Sequence, residues 1–245
     1  MTLIFDAVTK RFATGTTALD DVSLDVGPRE FVSVVGPSGC GKSTLLRLAS
    51  GLDVASSGTV RVDAERLSYV FQDPALLEWR SAARNVELVG ELRGVEKQER
   101  RLRARAALAL VGLEGFAQQH PRQLSGGMRM RVSLARALVS DPQLALFDEP
   151  FGALDEITRL QMQSELQRLF AAPDTHFAGL FITHSVSEAV YLSTRVLVMS
   201  GRPGRIVDEI DVPFAHPRPP DLRHTAEFAE LTGRVSAALA GEVAA

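Results

Sequence analysis

The sequence predicts an α/β protein built on a mostly parallel, helix-flanked sheet, and three observations carry that reading. Short β-branched apolar runs alternate with longer stretches of helical period. Several of those runs are apolar at nearly every position, as strands covered on both faces require. One of them, Phe31-Val32-Ser33-Val34-Val35, passes through a glycine-rich turn directly into a helical pattern. The chain's 245 residues, 45% of them hydrophobic and 23% charged, suffice for one domain with a sizeable core and argue against disorder or low complexity.

Taken in order, the candidate strands lie at residues 3–8, 31–35, 68–71, 144–147, 179–182 and 196–199. Strand-like runs vanish between Trp79 and His120, where Arg, Glu, Leu and Ala dominate. This stretch reads as a helical lobe, about 79–139, inserted into a core formed by about 1–78 and 140–220 of a single domain spanning 1–245. Its arginines alternate with Glu96 and Glu99, the pattern of a solvated helix face rather than a nucleic-acid patch. Ile157, Leu160, Leu166, Leu169 and Phe170 recur at helical spacing after the 144–147 strand and predict a crossover helix. Five of the twelve prolines fall in 201–220, predicting turns and extended segments. Phe228, Leu231, Val235 and Leu239 then predict a closing helix over about 221–240.

Charge and cysteine content exclude several classes. With 27 basic and 30 acidic residues the net charge is −3, which is no basic footprint for nucleic acid over the whole surface. The single cysteine, Cys40, cannot form an internal disulfide and points to a reducing compartment. The start, Met1-Thr2-Leu3-Ile4-Phe5-Asp6, lacks the basic and apolar regions of a signal peptide. No run approaches the roughly 20 apolar residues that span a bilayer. The expectation is a soluble cytoplasmic protein whose membrane association comes through a partner.

The chemistry begins after the 31–35 strand. Gly36-Pro37-Ser38-Gly39-Cys40-Gly41-Lys42-Ser43-Thr44 is a G-x-x-x-x-G-K-S loop set between a strand and a helix. Such a loop curls so that successive N–H groups meet phosphate oxygens at a helix N-terminus. Lys42 can then reach the β- and γ-phosphates of ATP, and the Ser43 hydroxyl can ligate Mg2+. A plain connecting turn leaves Lys42-Ser43 without a purpose, and the glycine spacing does not suit a dinucleotide. Cys40 reads as a small tolerated side chain whose alkylation should block nucleotide binding.

Leu144-Ala145-Leu146-Phe147-Asp148-Glu149 is an apolar strand ending in two carboxylates. At the carboxyl edge of a parallel sheet, Asp148 can hold the Mg2+ shell and Glu149 can polarise a water for attack on the γ-phosphate. Kinases, GTPases and motor ATPases share these elements. What separates them is Leu124-Ser125-Gly126-Gly127-Met128, which opens a long helical pattern and so supplies a second anion-binding helix N-terminus. One nucleotide does not need two such termini from one chain. A head-to-tail dimer, in which each subunit's second terminus closes over the other's ATP, would use both.

At this point the sequence resembles the ATP-binding cassette (ABC) ATPases along nearly its whole length. Leu124-Ser125-Gly126-Gly127-Met128 matches the family's signature motif, with Asp148 following Ser125 by 23 residues. The resemblance implies a P-loop NTPase fold with an N-terminal antiparallel β portion. It further implies that Gln72 contacts Mg2+ and senses a transmembrane partner, that Phe12 stacks on adenine, that His184 touches the γ-phosphate, and that Gly152-Ala153-Leu154-Asp155 crosses a dimer interface. The segment Phe71-Gln72-Asp73-Pro74-Ala75-Leu76-Leu77-Glu78-Trp79-Arg80 is similar to that of bacterial importers for nitrate, sulfonates and taurine, with Glu78 where those often carry proline. Met128-Arg129-Met130-Arg131 and Ser200-Gly201-Arg202-Pro203-Gly204-Arg205-Ile206-Val207 resemble the same branch.

The implied protein is the ATP-hydrolysing subunit of an importer, peripheral on the cytoplasmic face of the inner membrane. It would be a homodimer with ATP and Mg2+ at the interface, docked to a permease near residues 72–80 and served indirectly by a periplasmic or lipid-anchored binding protein. Trp79 reads equally as an interface anchor or as core of the helical lobe. The alternative is a soluble ABC ATPase acting on nucleic acid or ribosomes. DNA-repair members carry long coiled coils between the two nucleotide motifs, whereas Lys42 and Asp148 are only 106 residues apart, and translation-type members carry two cassettes where this chain has one. A small-molecule kinase would leave Ser125-Gly126-Gly127 and His184 unexplained.

Overall fold

The computed structural model describes residues 2–172 and 177–243. The chain begins with β1 (Leu3–Arg11), β2 (Thr17–Val26), β3 (Phe31–Val35), α1 (Lys42–Ala49), β4 (Ser57–Val62) and β5 (Leu67–Val70). Three helices follow without a strand: α2 (Ala82–Leu92), α3 (Lys97–Leu110) and α4 (Gly126–Leu138). The remainder alternates again, through β6 (Leu144–Asp148), α5 (Glu156–Ala171), β7 (Ala178–Ile182), α6 (Val186–Leu192), β8 (Arg195–Met199) and β9 (Ile206–Asp211), before closing on α7 (Ala226–Val243).

Two sheets result. β2-β1-β4 is antiparallel, and β5-β6-β7-β3-β8-β9 is parallel except for β9, which runs against β8. β3, β6 and β7 are buried at every residue, so their nearly continuous apolar character follows from helices or sheet on both faces. Phe31 on β3 meets Phe147 and Phe181 at ring-centroid distances of 5.9 and 5.8 Å. That packing dictates Gly179, where a Cβ would fall 2.5 Å from the Phe31 ring.

The order of strands positions the chemistry. β6, β7 and β3 are neighbours in register, with Asp148 beside Ile182 and Ile182 beside Val34. Their carboxyl ends therefore carry Glu149, His184 and the 36–41 loop to one edge of the sheet, where open α/β sheets hold ligands.

β2, β4 and β9 lie outside the six strands expected from apolar runs. Each is an edge strand with one wet face: β4 has no fully buried residue and β9 buries only Ile210. In β2 the signal is alternation, Val22, Leu24 and Val26 buried between polar neighbours, rather than a continuous run. α5 does cross from β6 to β7, but Ile157 and Leu160 at its start are 72% and 37% exposed. Its inward face instead includes Gln163 and Gln167, which bond Glu188 Oε1 (3.0 Å) and the Arg218 N–H (2.7 Å).

Helices α2, α3 and α4 share one apolar cluster with the sheet through Val86, Leu108, Met130 and Leu134. Asn85 is fully buried on α2, and its amide bonds the backbone of Leu77, Arg80 and Ser81, tying the preceding loop to the lobe. Arg136 on α4 donates to the carbonyls of Pro74 and Ala75, both at 2.9 Å. On α3 the arginines meet carboxylates, Arg100 with Glu87 and Arg103 with Glu99. Trp79 is 75% exposed, which removes it from the core of the lobe. Among the described residues no helix is long and apolar enough to cross a membrane.

Candidate nucleotide site

The 36–41 loop folds as its residues demand. Gly41 caps α1 at φ 113°, and a Cβ there would lie 2.7 Å from the Ala18 carbonyl, so both the backbone angle and the close approach of β2 require glycine. α1 then starts at Lys42, whose ammonium donates to the carbonyls of Gly36 (2.8 Å) and Pro37 (2.9 Å). The loop opens onto a cleft of about 570 Å3 lined by Gly36, Ser38, Gly39, Gly41, Lys42, Ser43 and Thr44. Phe12 marks one part of the lining and Gln72, Glu149 and His184 another.

Two carboxylates at the end of β6 occupy different surroundings. Asp148 is buried, accepts from the Ser43 hydroxyl at 3.1 Å, and lies 3.5 Å from the Tyr69 hydroxyl. Burial raises its pKa from the usual carboxylate value, with the Ser43 bond opposing. Burial likewise pushes the Tyr69 phenol up, helped by the neighbouring Asp148 charge. Glu149 turns out of the sheet at φ 46°, a left-handed conformation unusual for a non-glycine residue. Its Oε2 is 3.5 Å from Gln72 Nε2 and 3.2 Å from His184 Nδ1. Two residues separated widely in sequence thus converge on one carboxylate.

His184 sits on a turn that is itself braced. Thr183 Oγ1 accepts from the Ser185 N–H at 3.0 Å and donates to the buried Glu188 carboxylate at 2.6 Å. Arg159 on α5 reaches Glu188 (3.8 Å) and also donates to the Leu154 carbonyl at 3.0 Å. A continuous polar path therefore joins the 152–155 segment to the His184 turn.

The Ser43 hydroxyl and the Asp148 carboxylate meet beside the loop, and hard oxygen donors of this kind suit Mg2+ taking its other ligands from phosphate and water. Among the described residues no group of three or more His, Cys, Asp or Glu forms a metal centre on protein ligands alone.

Some sequence expectations are corrected. The Cys40 side chain is 1% exposed and packed in the apolar cluster beneath the loop, not in the cleft. A buried thiol is a poor target for alkylation, so that expected route to inhibition fails. Pro37 reaches the site through its carbonyl rather than by lining the cleft. Ser125, Gly126 and Gly127, expected at the ATP of a second copy rather than in the chain's own cleft, lie outside its lining. Ser125 caps α4 through the Met128 N–H at 3.2 Å, and Gly127 lies against Ala153 and Leu154. Thr14, Thr16, Ala18 and Arg202 line the cleft without having been singled out for it. Tyr69 was also missed, although its place opposite Leu146 in the β5–β6 register puts it beside the acidic strand end.

Comparison with known proteins agrees with this geometry. A protein-family profile described as ABC transporter matches residues 19–152. An aliphatic sulfonates import ATP-binding protein, SsuB 1, of Mesorhizobium japonicum is 46% identical over 94% of this chain and 86% of its own length. A taurine import ATP-binding protein, TauB, of Rhizobium johnstonii is 43% identical over 94% and 91%. The dimeric structure of an ATP-binding cassette in a post-hydrolysis state with ADP and phosphate superposes with a TM-score of 0.78 at 32% identity, covering 87% of this chain and 100% of that one.

Proposed function

Because the chain belongs to the ABC transporter family and is an ATPase, we propose that it is the ATP-hydrolysing subunit of an importer for a small sulfonate-type or related anionic solute. The observation that carries the reading is the convergence of Gln72 and His184 on Glu149 at the mouth of the Lys42 loop. The names of the sulfonate and taurine import relatives support the importer and its substrate class. No finding supports the alternative of a nucleic-acid or ribosome ATPase.

In this reading Gly36 to Thr44 wrap the phosphates, with backbone N–H groups and the Lys42 ammonium balancing their charge. Phe12 stacks on adenine. Ser43, Asp148 and Gln72 would hold Mg2+, which when bound neutralises charge on the β- and γ-phosphates. Glu149 takes the proton of the attacking water, and His184, 3.2 Å from the Glu149 carboxylate, would donate to the γ-phosphate. Ser125, Gly126 and Gly127, outside the chain's own cleft, serve the ATP of a second copy. The exposed Trp79 and the 72–80 loop meet a separate permease, placing the subunit peripherally on the cytoplasmic face of the membrane. A substrate-binding protein would deliver the solute to that permease.

The test is Glu149→Gln, assayed both as the purified subunit and in vesicles with its permease. Turnover should fall roughly 10²–10⁴-fold, the scale of a positioned general base, and uptake should stop, while ATP remains bound. Hydrolysis at the wild-type rate would remove Glu149 from its role.

A further inference from the structure

The turn between β8 and β9 is pinned against the nucleotide loop. The Gly204 N–H donates to the Ala18 carbonyl at 2.9 Å, and the Asp20 N–H donates to the Gly204 carbonyl at 3.0 Å. A Cβ on Gly204 would fall 2.2 Å from the Cys40 carbonyl, so only glycine allows the turn to lie this close. Arg205 completes the attachment by pairing with Asp20. The turn is therefore a rigid mount rather than a free loop.

What it mounts is Arg202. The guanidinium donates through Nε (3.1 Å) and an Nη (2.8 Å) to the single carbonyl of Gly39, and its side chain lines the cleft with Ser38 and Lys42. Among the described residues no carboxylate pairs with Arg202, whereas Arg205 meets Asp20 and Arg195 meets Glu30 and Glu209. Lys42 is in the same situation, held by carbonyls of the same loop and by no acid. Arg202 and Lys42 thus stand at one cleft without a direct carboxylate partner among the described residues. Arginine has five donors in a planar fork, and one carbonyl engages only one edge of it.

We propose that Arg202 is a nucleotide-binding residue, its unused guanidinium edge contacting a phosphate oxygen of the bound nucleotide alongside Lys42. The proposal rests on the reading of the cleft as the ATP site. It gives the β8–β9 turn a purpose: the Gly204 and Arg205 attachments fix the height of the guanidinium above the phosphate loop, so that little ordering is needed when nucleotide enters.

The experiment is calorimetric titration of the full chain with ATP, ADP and AMP, using the wild type, Arg202→Gln, Arg202→Lys and Arg205→Gln, with thermal melts of each. Arg202→Gln should weaken ATP by about 5–30-fold, the effect of losing a partly exposed charge-assisted bond. The loss should shrink from ATP to ADP to AMP, and Arg202→Lys should recover part of it. Arg205→Gln, which loosens the mount but keeps the guanidinium, should lose less than Arg202→Gln and in the same order, ATP before ADP before AMP. An unchanged titration for Arg202→Gln overturns the proposal. So does an equal loss for all three nucleotides, which would mean that Arg202 only staples the loop. A wild-type chain that binds no ATP overturns the reading of the cleft, and this proposal with it.

Discussion

Residues at this site do work that their local surroundings make legible. Asp148 and Glu149 are adjacent in sequence, yet one is buried against Ser43 and the other turns at φ 46° towards Gln72 and His184. Glu149 stands just past the end of β6, and its left-handed backbone sends the second carboxylate to partners different from those of Asp148. Phe12 is 39% exposed at the cleft, with the Lys10 ammonium 5.3 Å from its ring centroid and itself paired to Asp53. In its proposed role of stacking on adenine, such a ring would be worth about 0.5–1.5 kcal/mol. Phe12→Ala should therefore weaken ATP by about 2–13-fold with little change in thermal stability, as read by titration and melting. A hundredfold loss, or a large fall in melting temperature, would make Phe12 a structural residue instead. The phosphate loop and the acidic pair were legible because their residue types and spacing are themselves the chemistry. Cys40 was misread because loop position says nothing of side-chain direction: Gly39 and Gly41, both at positive φ, swing the thiol between them into the core. Arg202 carries no spacing signal, because it lies far along the chain and comes beside the loop only in the fold, through the pairing of β3 with β8 and the bonds of Gly204 to Ala18 and Asp20.

Elements connect these residues. The His184 turn sits between β7 and α6, and the 152–155 segment between β6 and α5. Arg159 on α5 and Glu188 on α6 bridge the two through bonds to the Leu154 carbonyl and the Thr183 hydroxyl. Glu188 is buried, and desolvation raises its pKa while Thr183, Arg159 and Gln163 hold its charge. Glu188→Gln keeps the shape but replaces an acceptor oxygen by a donor, so at least one of these bonds is lost. A loosened His184 turn should lower kcat by about tenfold, since small misplacements of catalytic groups are expensive, while the KM for ATP stays near its wild-type value. Steady-state kinetics and melting of the same preparation check this, and a lower melting temperature with unchanged kcat would reduce Glu188 to a packing role. None of this bracing was visible beforehand. Gln163 and Gln167 fall on the inward face of α5, so an apolar-periodicity reading credited Ile157 and Leu160, which face solvent. The buried strands were legible from their nearly continuous apolar runs, while β2, β4 and β9 escaped because edge strands show alternation or little pattern at all.

At the scale of the molecule, one chain carries two helix N-termini suited to phosphate but only one of them opens on its cleft. α1 begins there, whereas α4 begins against Ala153 and Leu154, with Ser125 as cap and no acidic residue in its first turn. In a head-to-tail pair the start of α4 would meet the nucleotide of the other copy, and dimerisation would depend on ATP. Gly126 is the position at which to test this. A Cβ there meets nothing closer than 4.0 Å, so the chain's own packing tolerates a side chain, unlike Gly127, where Leu154 would lie at 3.2 Å. Gly126→Asp also adds a negative charge to a helix N-terminus, worth about 0.3–1 kcal/mol in favour of the isolated fold. The same charge would repel a phosphate brought by a partner. In the Glu149→Gln background, where bound ATP is not consumed, size-exclusion chromatography should show an ATP-dependent dimer that Gly126→Asp abolishes, while melting temperature and the monomer's affinity for ATP are preserved. A Gly126→Asp chain that still dimerises with ATP would mean that the start of α4 does not face a second nucleotide, and the assignment of Ser125, Gly126 and Gly127 to the partner's site would fall.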